Sequence, residues 1–497
     1  MLDFSNLNKY RENNRIEVKK AQGGLPNSIW ETYSAFANTL GGIILLGVEE
    51  LTDKTFNPIG LPNPEKIEKE FWDIINNSKK VNTNILTSKN VYIKNVDNKN
   101  ILVIEVPRAK RYDKPIYIDG NPLTGTYRRN GEGDYHCSEN EVKSMTRDAS
   151  FKTQDMLVLN EMTTDVFNYT SVRNYRIRMK NLRPGHVWEA LDDLDFLYRL
   201  GAADKGEDGE LHPTAAGLLM FGNEYEIVKE FPQYFLDYQE QYDNDPAVRW
   251  TDRIISSSGD WSGNLYDFFF HIYNKLTFDL KKPFKIENGT RIDETPTHTA
   301  LREALANSLI NADYYGSRGL VVTKTPETIT ISNPGSFRIE LAEAKSGGIS
   351  DPRNSALMKM FNLINIGERA GSGIPTIYQA CVDQGWNEPI ITEDFDPART
   401  TITLFIKKRA GKKPPIKTAD KKPPIKTADK NCRSKTVMQY ELIIDYLTKH
   451  ITATSAELAE LIGVKDSRIK EILRNLVDKE IVIVNGSNRN RTYSLKS

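Results

Sequence analysis

One nine-residue phrase, KKPPIKTAD, is written twice in immediate succession at residues 412–420 and 421–429, and no other feature constrains the architecture as much. Each copy carries a Pro-Pro pair, which holds φ near about −65° and removes backbone donors, so neither a helix nor a sheet ladder continues through it. Its lysines repel one another. An extended, semi-rigid spacer is expected, and the chain must fold as separate bodies on either side. The spacer also hides a charge asymmetry. The formal net charge is zero, with 67 Lys+Arg and 67 Asp+Glu, yet Lys407 to Lys435 hold twelve Lys or Arg and two Asp. Such a segment releases condensed counterions when it neutralises phosphates, so it reads as a nucleic-acid tether as well as a spacer.

At 497 residues the chain exceeds one core, and about 150 residues per domain gives roughly three or four. Apolar residues at 39% and charged residues at 27% suit several globular cores and exclude a mainly disordered chain. Met1 leads into the polar run LDFSNLNKYRENNR, and no run of about 18 apolar residues occurs, so neither an export signal nor a membrane span is expected. Cys137, Cys381 and Cys432 are scattered, without the CxxC spacing of a zinc site or a disulfide framework. A reducing cytoplasm fits this usage.

The pattern divides 1–150, 151–294, 295–406, 407–435 and 436–497. In the first stretch Ser28 and Glu31 have the spacing of a capping box, Gly41-Gly42 supplies a stop, and one helix over 28–40 follows, running into the buried strand IILLGV. Further strands are expected at 91–93, 101–106 and around Tyr127. Residues 151–294 read as a helical connecting module. From Thr295 a long helix, the strands GLVVTKT and TITISNPG, a glycine-rich stretch and a closing strand TITLFI form an α/β unit. The whole is an α/β (α+β) multidomain chain.

After Thr436 the apolar spacing gives three helices and two strands, a winged helix-turn-helix order. In the third helix Ile469, Ile472, Leu473 and Leu476 recur at i, i+3, i+4 and i+7, which turns Arg468, Lys470 and Arg474 outward. Those three are candidate DNA contacts in a major groove, with Arg489 and Arg491 on the wing. The segment resembles the winged helix-turn-helix domains of bacterial regulators.

Residues 1–150 resemble the Schlafen AlbA-type domain. The resemblance rests on Glu12 and Glu17 in ENNRIEVK, on SAFANTLGG at 34–42, on LLGVEE at 45–50 and on TYRRNGEGDYHCSENEV at 126–142. In family members that cut RNA, carboxylates from the first motif and from the end of the LLGV strand hold a divalent metal. The resemblance therefore implies Glu12, Glu17 and Glu49 or Glu50 around Mg²⁺ or Mn²⁺, which would activate water and offset charge on the scissile phosphate, with Lys19 on a phosphate oxygen. Arg108, Lys110, Arg111 and Lys114 after one strand, and Arg128 and Arg129 on another, supply basic groups expected to contact phosphate.

In TALREALANSLINADY, Glu303, Asn307 and Asn311 lie four apart and stack on one helical face, with Leu301, Leu305 and Leu309 roughly opposite. REAL, NS and NADY from 302, SNPG from 332, DPRN from 351 and ER-GSGI from 368 resemble, in order, the C-terminal ATPase-like domain of RecG-like bacterial proteins, of the GHKL type. The resemblance implies ATP binding: Glu303 orients water, Asn307 holds Mg²⁺, Asn311 lies beside it, and Asn333 faces adenine where that class generally has aspartate. Gly335, Gly371 and Gly373 let backbone approach the nucleotide and Arg353 reaches a phosphate. No GxxxxGK[ST] occurs, which excludes a P-loop helicase motor. The reading is an ATP-responsive DNA-binding regulator that partners DNA or RNA and further copies of itself. The alternative is a metal-dependent endonuclease, with a role in phage defence by family analogy.

Overall fold

The computed structural model describes residues 3–4, 7, 10–242, 249–278, 280, 286–287, 290–291, 295–367, 371–406, 443, 446–447, 450, 452–461, 464, 466–478, 482–485 and 492–495. The chain divides into two units, Met1–Pro414 and Pro415–Ser497. The repeated spacer phrase and the remaining tether lie outside the described residues.

In the first unit IEVK forms β1 (Ile16–Lys19), which runs parallel to β2 (Gly42–Leu46) with Glu17 opposite Ile44. With β5 (Val91–Val96) and β6 (Lys99–Val106) they make a sheet in the order β1-β2-β6-β5; β3 (Val48–Glu50) and β4 (Phe56–Pro58) form a separate antiparallel pair. The central strands carry the apolar runs IILL and ILVI because both faces are covered there. Ile44 and Leu46 join one core and Leu45 the other, as a period of two requires. Helix α1 (Ile29–Asn38) and α2 (Pro64–Ile75) cover one face, with Trp30 stacked on Phe71 at 5.4 Å. The Ser28 side chain makes no capping bond, so the expected capping box is not formed. The expected stop is: Gly41 has φ +71° and its N–H donates to Phe36 O at 2.8 Å. A hairpin of β7 (Tyr127–Asn130) and β8 (Gly133–His136) leads to α3 (Glu139–Ala149), whose start does carry a capping box, from Ser138 and Glu141.

From residue 159 to 404 one apolar core is continuous. Around it lie α4 (Tyr169–Leu182), α5 (Asp193–Leu200), α6 (Ala215–Phe221) and α7 (Leu265–Thr277). Among the strands that fall in the stretch expected to be a helical connector are β9 (Leu236–Glu240) and β10 (Asp252–Ile255). They extend the sheet made by β11 (Leu320–Lys324), β12 (Thr328–Pro334), β13 (Ile390–Phe395) and β14 (Ala398–Phe405), in the order β10-β9-β11-β12-β14-β13. The supposed boundary near 294 therefore separates no cores. Pairing decides this: β9 lies parallel to β11 with Leu236 opposite Leu320. Across the sheet packs α8 (Pro296–Asn311), whose burial extends beyond the leucines to Thr297, Glu303 and Ser308, so it is an interior helix and not the two-faced one expected. It contacts α10 (Gly373–Gln384), and α9 (Ser355–Leu363) follows the DPRN turn.

In the second unit α11 (Ser455–Leu461) and α12 (Asp466–Asp478) join a three-stranded sheet in the order β15 (Ala453–Thr454), β17 (Thr492–Leu495), β16 (Val482–Asn485). Ile469, Ile472, Leu473 and Leu476 are buried there together. Among the described residues no helix is long and apolar enough to cross a membrane.

Candidate functional site

The carboxylates of the first motif gather at the edge of β1. Glu12 accepts from Val18 N at 3.0 Å, and burial, reinforced by Glu17 and Glu50, raises its carboxyl above the usual range. Glu17 is 9% exposed and held by two cations, Lys19 at 2.8 Å and Arg129 at 2.8 Å. Arg129 also reaches Asp134 at 2.9 Å and Asn13 O at 3.0 Å, so its guanidinium is consumed inside the domain. Glu49 pairs with Lys20, and Glu50 faces Lys54 at 3.6 Å. Among the described residues no three His, Cys, Asp or Glu side chains are grouped to hold a metal ion. The implied Mg²⁺ or Mn²⁺ does not fit this arrangement: Glu17 and Glu49 are turned to arginine and lysine, Glu12 accepts from a backbone N–H, and among the described residues no three of these carboxylates converge.

The basic groups expected to meet phosphate are placed differently as well. Arg108 makes a two-pronged pair with Glu393 at 2.6 and 3.0 Å and donates to Phe337 O at 2.6 Å. Arg111 binds Asp351 at 2.5 Å and the carbonyls of Asp148 and Ser150, and Arg128 binds Asp396 at 2.7 Å and Glu141 at 3.0 Å. These pairs stitch the N-terminal domain to the α/β body. Arginine suits that use, since its planar fork matches carboxylates and it is weakly hydrated. Lys110 alone of the nominated basic residues in this domain is exposed. Lys114 donates to Asn38 O at 2.7 Å in the wall of a cavity between the two parts, and burial, then Arg108, push its ammonium down to about 7.

Under α8 the outcome is the reverse. A cavity of about 990 Å³, counting its open mouth, is lined by Asn307 and Asn311 from α8, Asn333 from β12, Thr400 and Ile402 from β14, and Gly371 and Gly373. Glu303 is buried beside it. The Asn307 amide nitrogen is buried and meets no hydrogen-bond partner among the described residues. Gly373 comes so near that a Cβ there would lie 2.4 Å from that nitrogen and 3.3 Å from Glu303 Oε2, so a larger residue would have to push the Asn307 amide aside. Gly373 also opens α10, and its N–H and that of Ile374, first-turn groups without an intrahelical partner, border the same space. An orphaned amide, apolar walls at Ile377, Ile391 and Ile402 and a helix start together fit a nucleotide.

Two nominated members have other work. Asn311 accepts from Arg353 N at 3.2 Å and its side chain donates to Asn307 O at 2.9 Å. Arg353 is 7% exposed and grips both oxygens of Asp148, with Ser336 O at 2.8 Å, so it is not aimed at a phosphate. Gly335, at φ +97°, lets the Arg353 guanidinium lie 3.0 Å from where a Cβ would stand. Sequence reasoning missed Asp148, Glu393 and Asp396, acids that capture the arginines and that no local pattern marks, and gave Asp351 of the DPRN motif no role. In the second unit Lys470 and Arg474 are exposed on α12; the side chain of Arg468, and Arg489 and Arg491 entirely, lie outside what is described, as do Glu368 and Arg369 of the ER-GSGI motif.

Comparison with known proteins agrees with this layout. The family described as Schlafen, AlbA_2 matches residues 12–138, and that described as putative ATP-dependent DNA helicase recG C-terminal matches 321–404. A domain of unknown function matches 143–237. No curated protein matches the chain. Similar solved structures include the DIP2311 protein from Corynebacterium diphtheriae, 16% identical over 97% of this chain and 95% of that one with a TM-score of 0.39. Another is the N-terminal domain of a putative ATP-dependent DNA helicase RecG-related protein from Nitrosomonas europaea, 28% identical over 28% of this chain and 94% of that one with a TM-score of 0.22. With its acidic motif on β1 and β3 and its asparagine-lined cavity beneath α8, the chain carries a Schlafen AlbA_2 domain joined to a recG C-terminal, ATPase-like domain.

Proposed function

We propose that the chain is a nucleic-acid-binding regulator whose grip on DNA or RNA responds to ATP in the cavity under α8. The observation that carries the reading is the segment Gly335–Arg338. Ser336, Phe337 and Arg338 line both the nucleotide cavity and the larger cavity against the N-terminal domain. From the far side the segment is held by Arg108 at Phe337 O and by Arg353, itself paired with Asp148, at Ser336 O. A ligand that shifts this wall must shift the partners of both arginines, which gives two sites one shared element. In the second unit the winged-helix reading adds Lys470 and Arg474 as contacts to the duplex. Metal-dependent cleavage is not proposed, because Glu17 is committed to Lys19 and Arg129 and, among the described residues, no three acidic groups converge on one point.

The test is oligonucleotide affinity of the full chain with and without a non-hydrolysable ATP analogue. A shift of about fivefold or more is expected, the usual lower bound of a coupled pair, and R108Q should erase it while leaving ATP binding intact. Affinity that ignores the analogue contradicts the reading.

A further inference from the structure

Helix α4 and the residue after it contain Arg173, Arg176, Arg178, Lys180 and Arg183 and no Asp or Glu. Like charges three and four apart weaken an isolated helix, so this one depends on its packed side, where Val172, Tyr175 and Met179 are buried. The charges are left on the outside. Two are steadied by the next segment, Arg176 by Asp193 and Lys180 by Glu189, each at 2.5 Å. Arg173 is exposed and has no carboxylate partner among the described residues.

Beside this helix lies a cleft of about 750 Å³, its open side included, lined by Arg173, Arg176, Lys180, His186, Trp188 and Phe196. Trp188 is half-buried, edge-on to His186 at 5.1 Å and to Phe196 at 6.3 Å. Lys359 places its ammonium 5.8 Å from the Trp188 ring centre. Arg173, Arg176, Lys180 and Lys359 thus stand against Glu189 and Asp193, an excess of positive charge around an aromatic floor.

We propose that this cleft binds one strand of nucleic acid, with phosphates against Arg173 and Lys180 and a base against Trp188 and His186. Cations that track a backbone beside rings that receive bases are the two requirements of single-strand binding without sequence preference. In a duplex the bases are already stacked on one another and cannot reach Trp188. The inference rests on the nucleic-acid-binding reading above and adds a contact surface in the stretch matched by the domain of unknown function.

The experiment measures binding of a labelled thymidine oligonucleotide and of a matched duplex to the full chain over a salt series. R173E alone, R173E with K180E, W188A and W188F are compared with wild type. The double charge reversal should weaken single-strand binding about tenfold or more and flatten its salt dependence, W188A should weaken it about tenfold, and W188F should retain it. A strand carrying 5-iodouracil should cross-link to Trp188. R173E, at an exposed position, guards against misfolding as the explanation. Variants that bind the strand as wild type does overturn the cleft and leave the broader reading standing. Wild-type protein that binds no strand overturns both. Displacement by polyglutamate with no effect of W188A assigns the cleft to an acidic polypeptide and overturns the proposal.

Discussion

The acidic motif on β1 and the cavity under α8 are both sets of polar residues that spacing marks for chemistry, and they differ in what remains unspent. Around Glu17 each charge has a protein partner: Lys19, Arg129 and Asp134 close a ring that Asn13 O completes. Around Asn307 a buried amide nitrogen faces a cavity with no hydrogen-bond partner among the described residues. A satisfied buried network is structural, because removing one member strands the others, whereas an unsatisfied buried donor has a cost that a ligand can repay. Residue type nominates a site, and the partner inventory decides it.

The largest effect that would break this contrast lies at Arg353. Replacing it with alanine strands the Asp148 carboxylate and should destabilise the first unit by about 3–5 kcal/mol, read by chemical denaturation. A loss under about 1 kcal/mol would mean that the charge is not spent on Asp148. Next comes Glu17→Gln, expected to cost about 1–3 kcal/mol because Arg129 loses a charged acceptor in a buried site. Glu49→Gln, beside a mostly exposed Lys20, should cost less than about 0.5 kcal/mol. Equal costs would erase the distinction drawn between them.

A separate effect is the pH response of Lys114, whose ammonium is pushed down to about 7 by burial and by Arg108. The unfolded chain keeps the proton up to about 10.4, so between about 7 and 10.4 the unfolded state binds more protons and stability rises with pH. Below about 7 both states are protonated and the slope vanishes. Thermal unfolding of wild type against K114M should show wild type gaining on the variant from neutral to alkaline pH, and parallel curves would contradict the placement of Lys114 in the cavity wall.

Much of the fold was legible. The strands at IILLGV, VYI and ILVIEV, the Gly41 stop and the Ile469–Leu476 face follow from period and local turn chemistry, which are properties of neighbouring residues. The pairs that decide the site are not. Arg108 and Glu393 stand 285 residues apart, and no spacing rule links them. For the same reason β9 was lost to a helical connector, since its place beside β11 is set by a partner more than eighty residues later. The capping box expected at Ser28 is absent while others form at Ser138 and at Thr295 with His298. The basic run of α4 and Arg183 is readable as five cations without an acid, and only its neighbour Trp188, brought close by the turn after the helix, makes it a surface with a purpose.

Calorimetric titration of Mg²⁺-ATP into the full chain tests the contrast most directly, with N307A and E17Q alongside. The expected result is binding by wild type, weakened about tenfold or more in N307A, a loss of about 1.4 kcal/mol, with affinity retained in E17Q. No heat with wild type, or equal affinity with N307A, would contradict the assignment of the cavity under α8 as the site where this chain keeps its polar groups in reserve.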